Sequence, residues 1–226
     1  MPTLTQQRRQ KLSENPALLH HFDSAEQQRE ASNLGMWVFL VTEIMFFGGL
    51  ILAYVIYRMM YFPAFSAASR TLDVTLGGIN TAVLIGSSLT MALAVHAAQV
   101  SKRKALIFFL LLTILLGSVF LGIKVVEYAD KFHHNHVPGA NFEFTEGTDP
   151  VHTQIFFSLY FCMTGLHALH MIIGVGLLSW LVFNSWKGRY SADYFSPVEN
   201  CGLYWHFVDI VWIFLFPFLY LISRHH

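Results

Sequence analysis

Five side chains able to exchange protons or bind metals stand inside otherwise apolar runs of this 226-residue sequence. Glu43 lies in FLVTEIMFFGGL, His167 and His170 in TGLHALHM, and His206 and Asp209 in YWHFVDIVW. His167–His170 and His206–Asp209 are i,i+3 pairs, a spacing that puts each pair on one helical face. An aspartate one turn from a histidine can accept its ring proton and hold one tautomer. A structural hydrogen bond is therefore expected between His206 and Asp209. For His167 and His170, metal binding needs a third and fourth ligand at matching depth. Asp209 and Glu43 could be put forward, but nothing in the spacing demands them, and no metal site is expected.

Glu43 differs because no basic residue lies within two turns of it on its own helix. A low-dielectric setting favours its neutral acid unless a partner compensates. Two readings stand side by side. One is an interhelical hydrogen bond worth about 1 kcal/mol or less. The other is a site of proton exchange, or of contact with a lipid headgroup or partner subunit. A second polar band contains Asn80 and Thr81 at the start of one apolar run and Lys124 and Glu127 at the end of the next. The i,i+3 spacing of Lys124 and Glu127 predicts an ion pair, with the lysine reaching outward to the membrane surface.

Other chemistry lacks its signatures. No span offers the paired or clustered histidine ligands that haem and copper require, and the sequence has no CxxCH, no Gly-rich phosphate loop and no nucleophile motif. Cys162 and Cys201 have no CxxC spacing and read as buried thiols. Redox or hydrolytic catalysis by this chain alone is not expected.

What positions these groups is a membrane. The chain is 54% hydrophobic and only 12% charged, against about 25% charged in soluble domains. Its net charge of zero argues against nucleic acid as a partner, since no basic face meets phosphate. Five runs, roughly 35–59, 76–99, 105–127, 153–183 and 200–222, are long enough to cross a hydrocarbon core as helix. The expected fold is all-α: a polytopic membrane bundle of five transmembrane helices over residues 31–226, preceded by a polar arm over 1–30. That arm lacks the apolar core of a cleavable signal peptide. With the N-terminus inside, nine lysines and arginines fall on the inner side and four on the outer (Arg58, Arg70, Lys131 and Arg224). The bias, sharpest in the SKRK turn at 101–104, places the N-terminus inside and the C-terminus outside. The loop at about 128–151 then faces out. At about 1.5 Å per residue, Glu43, His167, His170, His206 and Asp209 share one inner-to-central depth band, and Asn80, Lys124 and Glu127 form an outer one. A charged group at the first depth costs about 2.5–3.5 kcal/mol or more, so each should face protein, water or a bound headgroup. Glycines punctuating the spans should let helices approach closely. The aromatic stripe from Trp205 to Phe216 reads as packing or lipid contact.

Five stretches, GMWVFLVTEIMFFGGLILAY at 35–54, INTAVLIGSSLTMALAVHA at 79–97, GIKVVEY at 122–128, TGLHALHMIIG at 164–174 and YWHFVDIVWIFLF at 204–216, resemble subunit III of haem–copper terminal oxidases, specifically the cytochrome c oxidase type. They fall one per helix in that family's order. The resemblance implies the five-helix short form, in which the first two helices of the longer form are absent. It implies a non-catalytic subunit of a proton-pumping oxidase that reduces oxygen to water, in the plasma membrane of a bacterium. Such a chain packs on subunit I, in a complex that includes subunit II, binds phospholipid and helps to sustain proton uptake and turnover. Haem and copper belong to the partner subunits, this chain carries no metal, and cytochrome c docks on the complex rather than here. By the same resemblance, Glu43 occupies the position of the family's carbodiimide-reactive intramembrane glutamate. His167, His170, His206 and Asp209 take structural roles, and Glu127 matches the glutamate closing the third helix. Lys124 stands where the long form often has glutamine. The competing readings are subunit III of a quinol oxidase, an accessory protein of nitric oxide reductase, and a proton-coupled transporter with Glu43 and Asp209 as its relay. Five helices cannot divide into two equal inverted repeats, which weighs against the transporter.

Overall fold

A computed structural model describes residues 22, 24–134, 136–139, 142–144, 149–192 and 194–221. Its helices are α1 (Ala25–Met60), α2 (Phe62–Arg70), α3 (Val74–Gln99), α4 (Arg103–His133), α5 (Pro150–Trp186) and α6 (Ser196–Phe216), followed by a π-helical turn, Pro217–Leu221. Five of them are long and apolar enough to cross a membrane. Large apolar side chains such as Trp37, Met45, Phe108, Ile172 and Trp180 remain exposed along them, the surface that lipid rather than water covers. The expected all-α bundle is the observed one.

Local chemistry sets the ends. The Ser24 hydroxyl accepts from the Gln27 amide, and the Asp73 carboxylate accepts from Thr75 and Leu76. These bonds satisfy donors that a helix start leaves free. Pro150 begins α5, where its missing N–H costs nothing. The SKRK turn is tight, with Ser101 at φ 55°. Its hydroxyl accepts from the Ala192 amide at 2.8 Å, and Arg103 donates to the Trp186 carbonyl. The two short connections on that side are thereby pinned together.

Several boundaries move. The first helix starts at Ala25 rather than near 35, and α4 runs on to His133, which shortens the loop expected from 128. The remainder of the N-terminal arm (1–21 and 23), with Arg8, Arg9 and Lys11, and Arg224 at the other end lie outside the described residues. The α2 helix is unforeseen. It buries Phe65, Ala68 and Ser69, and the Ser69 hydroxyl donates to the Leu219 carbonyl at 2.7 Å. Tyr54 of α1 donates likewise to the Phe218 carbonyl at 2.7 Å. Pro217 has no N–H to continue the ladder, and the wider turn after it presents carbonyls that α1 and α2 take up.

The core is built around α6, which touches α1, α3 and α5. Trp205 and Trp212 are fully enclosed, while Phe214 on the opposite face points out. Close approach is confined to a few glycines. A Cβ at Gly117 of α4 would lie 2.7 Å from the Trp205 ring, and one at Gly174 of α5 would lie 3.0 Å from it. Gly48, Gly49, Gly78, Gly122 and Gly176 meet nothing within 4 Å, so they do not serve the contacts expected of them within this chain. Gly117→Leu is expected to lower stability by about 1–3 kcal/mol through overpacking. Gly122→Leu, five residues further along the same helix, should be silent in the same detergent melting measurement.

Candidate functional site

Near the end of α4 a closed ring of polar groups is sealed inside the protein. Lys124 Nζ donates to Glu127 Oε2 at 2.9 Å, to the Tyr220 hydroxyl at 3.1 Å and to the Tyr160 hydroxyl at 3.3 Å. Both tyrosines in turn donate to Glu127 Oε1, Tyr160 at 2.7 Å. All three ammonium protons and both carboxylate oxygens are therefore used. Lys124 and Glu127 are only 3% and 4% exposed, and the Trp212 ring stands 4.9 Å from Nζ as a cation–π wall. The expected ion pair forms, but the lysine does not reach outward. Tyr160 and the C-terminal turn give it better partners than the membrane surface does. Asn80, predicted for the same band, is fully buried, and its amide makes only a long contact of 3.5 Å to the Phe120 carbonyl.

At mid-depth, the helices separate residues that the sequence puts side by side. Glu43 of α1 is not isolated: His170 Nε2 lies 3.2 Å from Glu43 Oε2, across to α5. The other ring nitrogen of His170 lies 2.8 Å from the Leu166 carbonyl, and a carbonyl can only accept. His167 points elsewhere. It is buried between Phe120 of α4 and Trp212 of α6, with ring centroids at 5.3 and 5.1 Å, and neither of its nitrogens has a hydrogen-bond partner among the described residues. One helical face thus serves two different interfaces.

The hydrogen bond expected between His206 and Asp209 does not form. His206 Nδ1 instead pairs with the Ser88 hydroxyl of α3 at 2.7 Å. Asp209 lies near the same hydroxyl, yet neither of its oxygens has a hydrogen bond of acceptable geometry, although the residue is 2% exposed. His206, Asp209 and Ser88 line a cavity of about 270 Å³ between α3 and α6 that opens to the outer face of the bundle. Among the described residues, no three His, Cys, Asp or Glu side chains lie close enough together to hold a metal ion. Cys162 is exposed rather than buried, and Cys201 is half-buried.

Outside the spans, Asp149 caps α5. It accepts from the His152 amide at 3.2 Å and pairs with His152 Nδ1 at 2.5 Å, while Tyr61 stacks on that imidazole at 3.6 Å between centroids. These bonds from His152 hold the Asp149 carboxyl below its usual range. A depressed folded-state value means that the cap is intact above the ordinary aspartate range and loosens as pH falls through the folded value. Protection of the amides of residues 151–153 against exchange, relative to their intrinsic rates, should fall on acidification, and Asp149→Ala should remove that pH dependence.

The fold and these sites define a class first: a polytopic membrane helix bundle whose polar groups tie helices together. Comparison with known proteins then supplies the family. The family model for cytochrome c oxidase subunit III matches residues 9–224. The cytochrome c oxidase subunit 3 of Thermostichus vulcanus is 32% identical over 203 residues, covering 89% of this chain and 92% of that protein. The probable quinol oxidase subunit 3 of Staphylococcus haemolyticus is 30% identical over 206 residues, covering 89% of this chain and 94% of that one. The Loxodonta africana cytochrome c oxidase subunit 3 is 31% identical over 202 residues, covering 85% of this chain and 70% of its own length. This chain belongs to the cytochrome c oxidase subunit III family.

Proposed function

We propose that this chain is the non-catalytic subunit III of a cytochrome c oxidase in a bacterial plasma membrane, packed on subunit I and in contact with phospholipid. Haem and copper are carried by subunits I and II. Cytochrome c docks on the assembled complex, and subunit III sustains proton uptake during turnover. The family match across residues 9–224 carries this reading. The geometry supports a structural role, because the buried polar groups join helices rather than converge on one reactive centre. The two carboxylates that a transporter would use as a relay have separate surroundings. Glu43 contacts His170, and Asp209 lines the groove with Ser88 and His206. In the proposed role Glu43 is a membrane-facing carboxylate that responds to lipid or proton occupancy. Its side chain is 19% exposed, within reach of both.

The deciding experiment is affinity purification of the tagged chain in mild detergent, followed by an optical spectrum. Haem absorbance should co-purify, and a colourless isolated polypeptide would overturn the reading. A binuclear copper signature in the co-purified subunit II is expected, and its absence from a haem-containing complex would reassign the donor to quinol.

A further inference from the structure

We propose that the groove between α3 and α6 is the docking surface for a transmembrane helix of a partner subunit, which inserts a hydrogen-bond donor against Asp209. This rests on the oxidase-subunit reading and specifies which face of the chain engages the complex.

Three observations converge on it. The first is the unpartnered acid. Asp209 sits on the floor of the groove, almost fully buried, and neither of its oxygens has a hydrogen-bond partner among the described residues. A buried polar group left in that state costs free energy comparable to a lost hydrogen bond, and more if it is charged. Ser88, which carries the one hydroxyl among the lining residues, pairs with His206 and lies near Asp209 without reaching hydrogen-bond geometry to it. The second is depth. The span runs from Ser196 to Leu221, so at about 1.5 Å per residue Asp209 lies roughly 20 Å from its beginning. That is near the middle of a hydrocarbon core about 30 Å thick. Lipid headgroups do not sit at that level, and acyl chains have nothing to donate. Only a side chain carried on another helix brings a donor there.

The third is the shape of the neighbouring face. Gly78, Ala82 and Gly86 recur every fourth residue along the lipid-facing side of α3, and a Cβ at Gly78 would meet nothing within 4 Å. Small residues at this spacing let a second helix backbone approach closely. Ile85, Ile210 and Ile213 form the rim at 54%, 50% and 43% exposure, an apolar collar for one inserted side chain. Other open glycines, Gly48 and Gly49 on α1 and Gly176 on α5, flank no unsatisfied buried acid.

The test uses the complete complex in native membranes. Benzoylphenylalanine is introduced for photocrosslinking at Ile213 on the rim and, for reference, at Leu115 on α4 and Ile172 on α5. Crosslinking from position 213 to the haem-bearing subunit is expected. Transfer of that crosslink to positions 115 or 172, crosslinks at 213 only to lipid, or crosslinks only to a second copy of this chain would each overturn the docking surface. In parallel, Asp209→Leu and Ala82→Phe should each lower the haem recovered per mole of tagged chain by about tenfold, as expected for losing one interhelical hydrogen bond or close helix contact. Ala82 is exposed, so Ala82→Phe should leave helicity and yield of the chain unchanged. Full haem recovery with Ala82→Phe sinks the inference even if Asp209→Leu fails to fold. If the unaltered chain brings no haem, it is the oxidase-subunit reading that fails.

Discussion

Glu127→Ala is expected to destabilise the chain more than any other substitution considered. Removing this carboxylate leaves Lys124 with its ammonium in a site that is 3% exposed. The two tyrosine hydroxyls that donated to Glu127 lose their acceptor at the same time. Breaking a buried ion pair from one side costs about 3–5 kcal/mol, because the stranded charge has neither water nor partner. Replacing both members by apolar residues of similar volume is often neutral. The Lys124→Met/Glu127→Leu double variant should therefore melt above Glu127→Ala in detergent, and below the unaltered protein because the two tyrosine hydroxyls still lack their acceptor. Melting of Glu127→Ala at the temperature of the unaltered protein would show that the ring contributes nothing. The ring also joins α4 and α5 to the C-terminal turn through Tyr160 and Tyr220. Hydrogen exchange at residues 218–221 should accelerate in Glu127→Ala, whereas exchange in α1 should not change.

Much of this architecture could be read from hydropathy alone, and the reasons are specific. In hydrocarbon every backbone group must be satisfied within its own segment, so an apolar run of the right length is a helix. The Lys124–Glu127 pair was equally legible, since i,i+3 neighbours on one helix need no knowledge of the rest of the fold. Failures came where a partner sits on another helix. His206 and Asp209 share a face, yet Ser88 of α3 takes the imidazole. Glu43 looks solitary along its own helix and meets His170 only when α1 packs near α5. Tyr160 and Tyr220, which complete the Lys124 ring, carry no spacing signal relative to it. Their aromatic surroundings gave no reason to select them among 9 tyrosines. The short α2 helix was missed because it is neither long nor continuously apolar, and it is held by tertiary contacts through Phe65 and Ser69.

The Glu43–His170 contact has a consequence that infrared spectroscopy can read. The Leu166 carbonyl fixes a hydrogen on Nδ1 of His170. The 3.2 Å approach of Nε2 to Glu43 Oε2 is then attractive only with one proton between them, on either atom. The contact then ties α1 to α5 whichever atom carries the proton. In His170→Leu that partner is gone. A carboxyl group left without a partner at this depth is costly, so its surroundings should change measurably. In glutamate-labelled protein, His170→Leu is expected to shift the infrared band of the Glu43 carboxyl, whose partner across to α5 is lost. Adding Glu43→Gln should abolish that band. A double-mutant cycle on stability should give a coupling of about 0.5–2 kcal/mol for the pair. A coupling near zero, together with an unchanged carboxylate band in His170→Leu, would mean that solvent or lipid rather than His170 compensates Glu43.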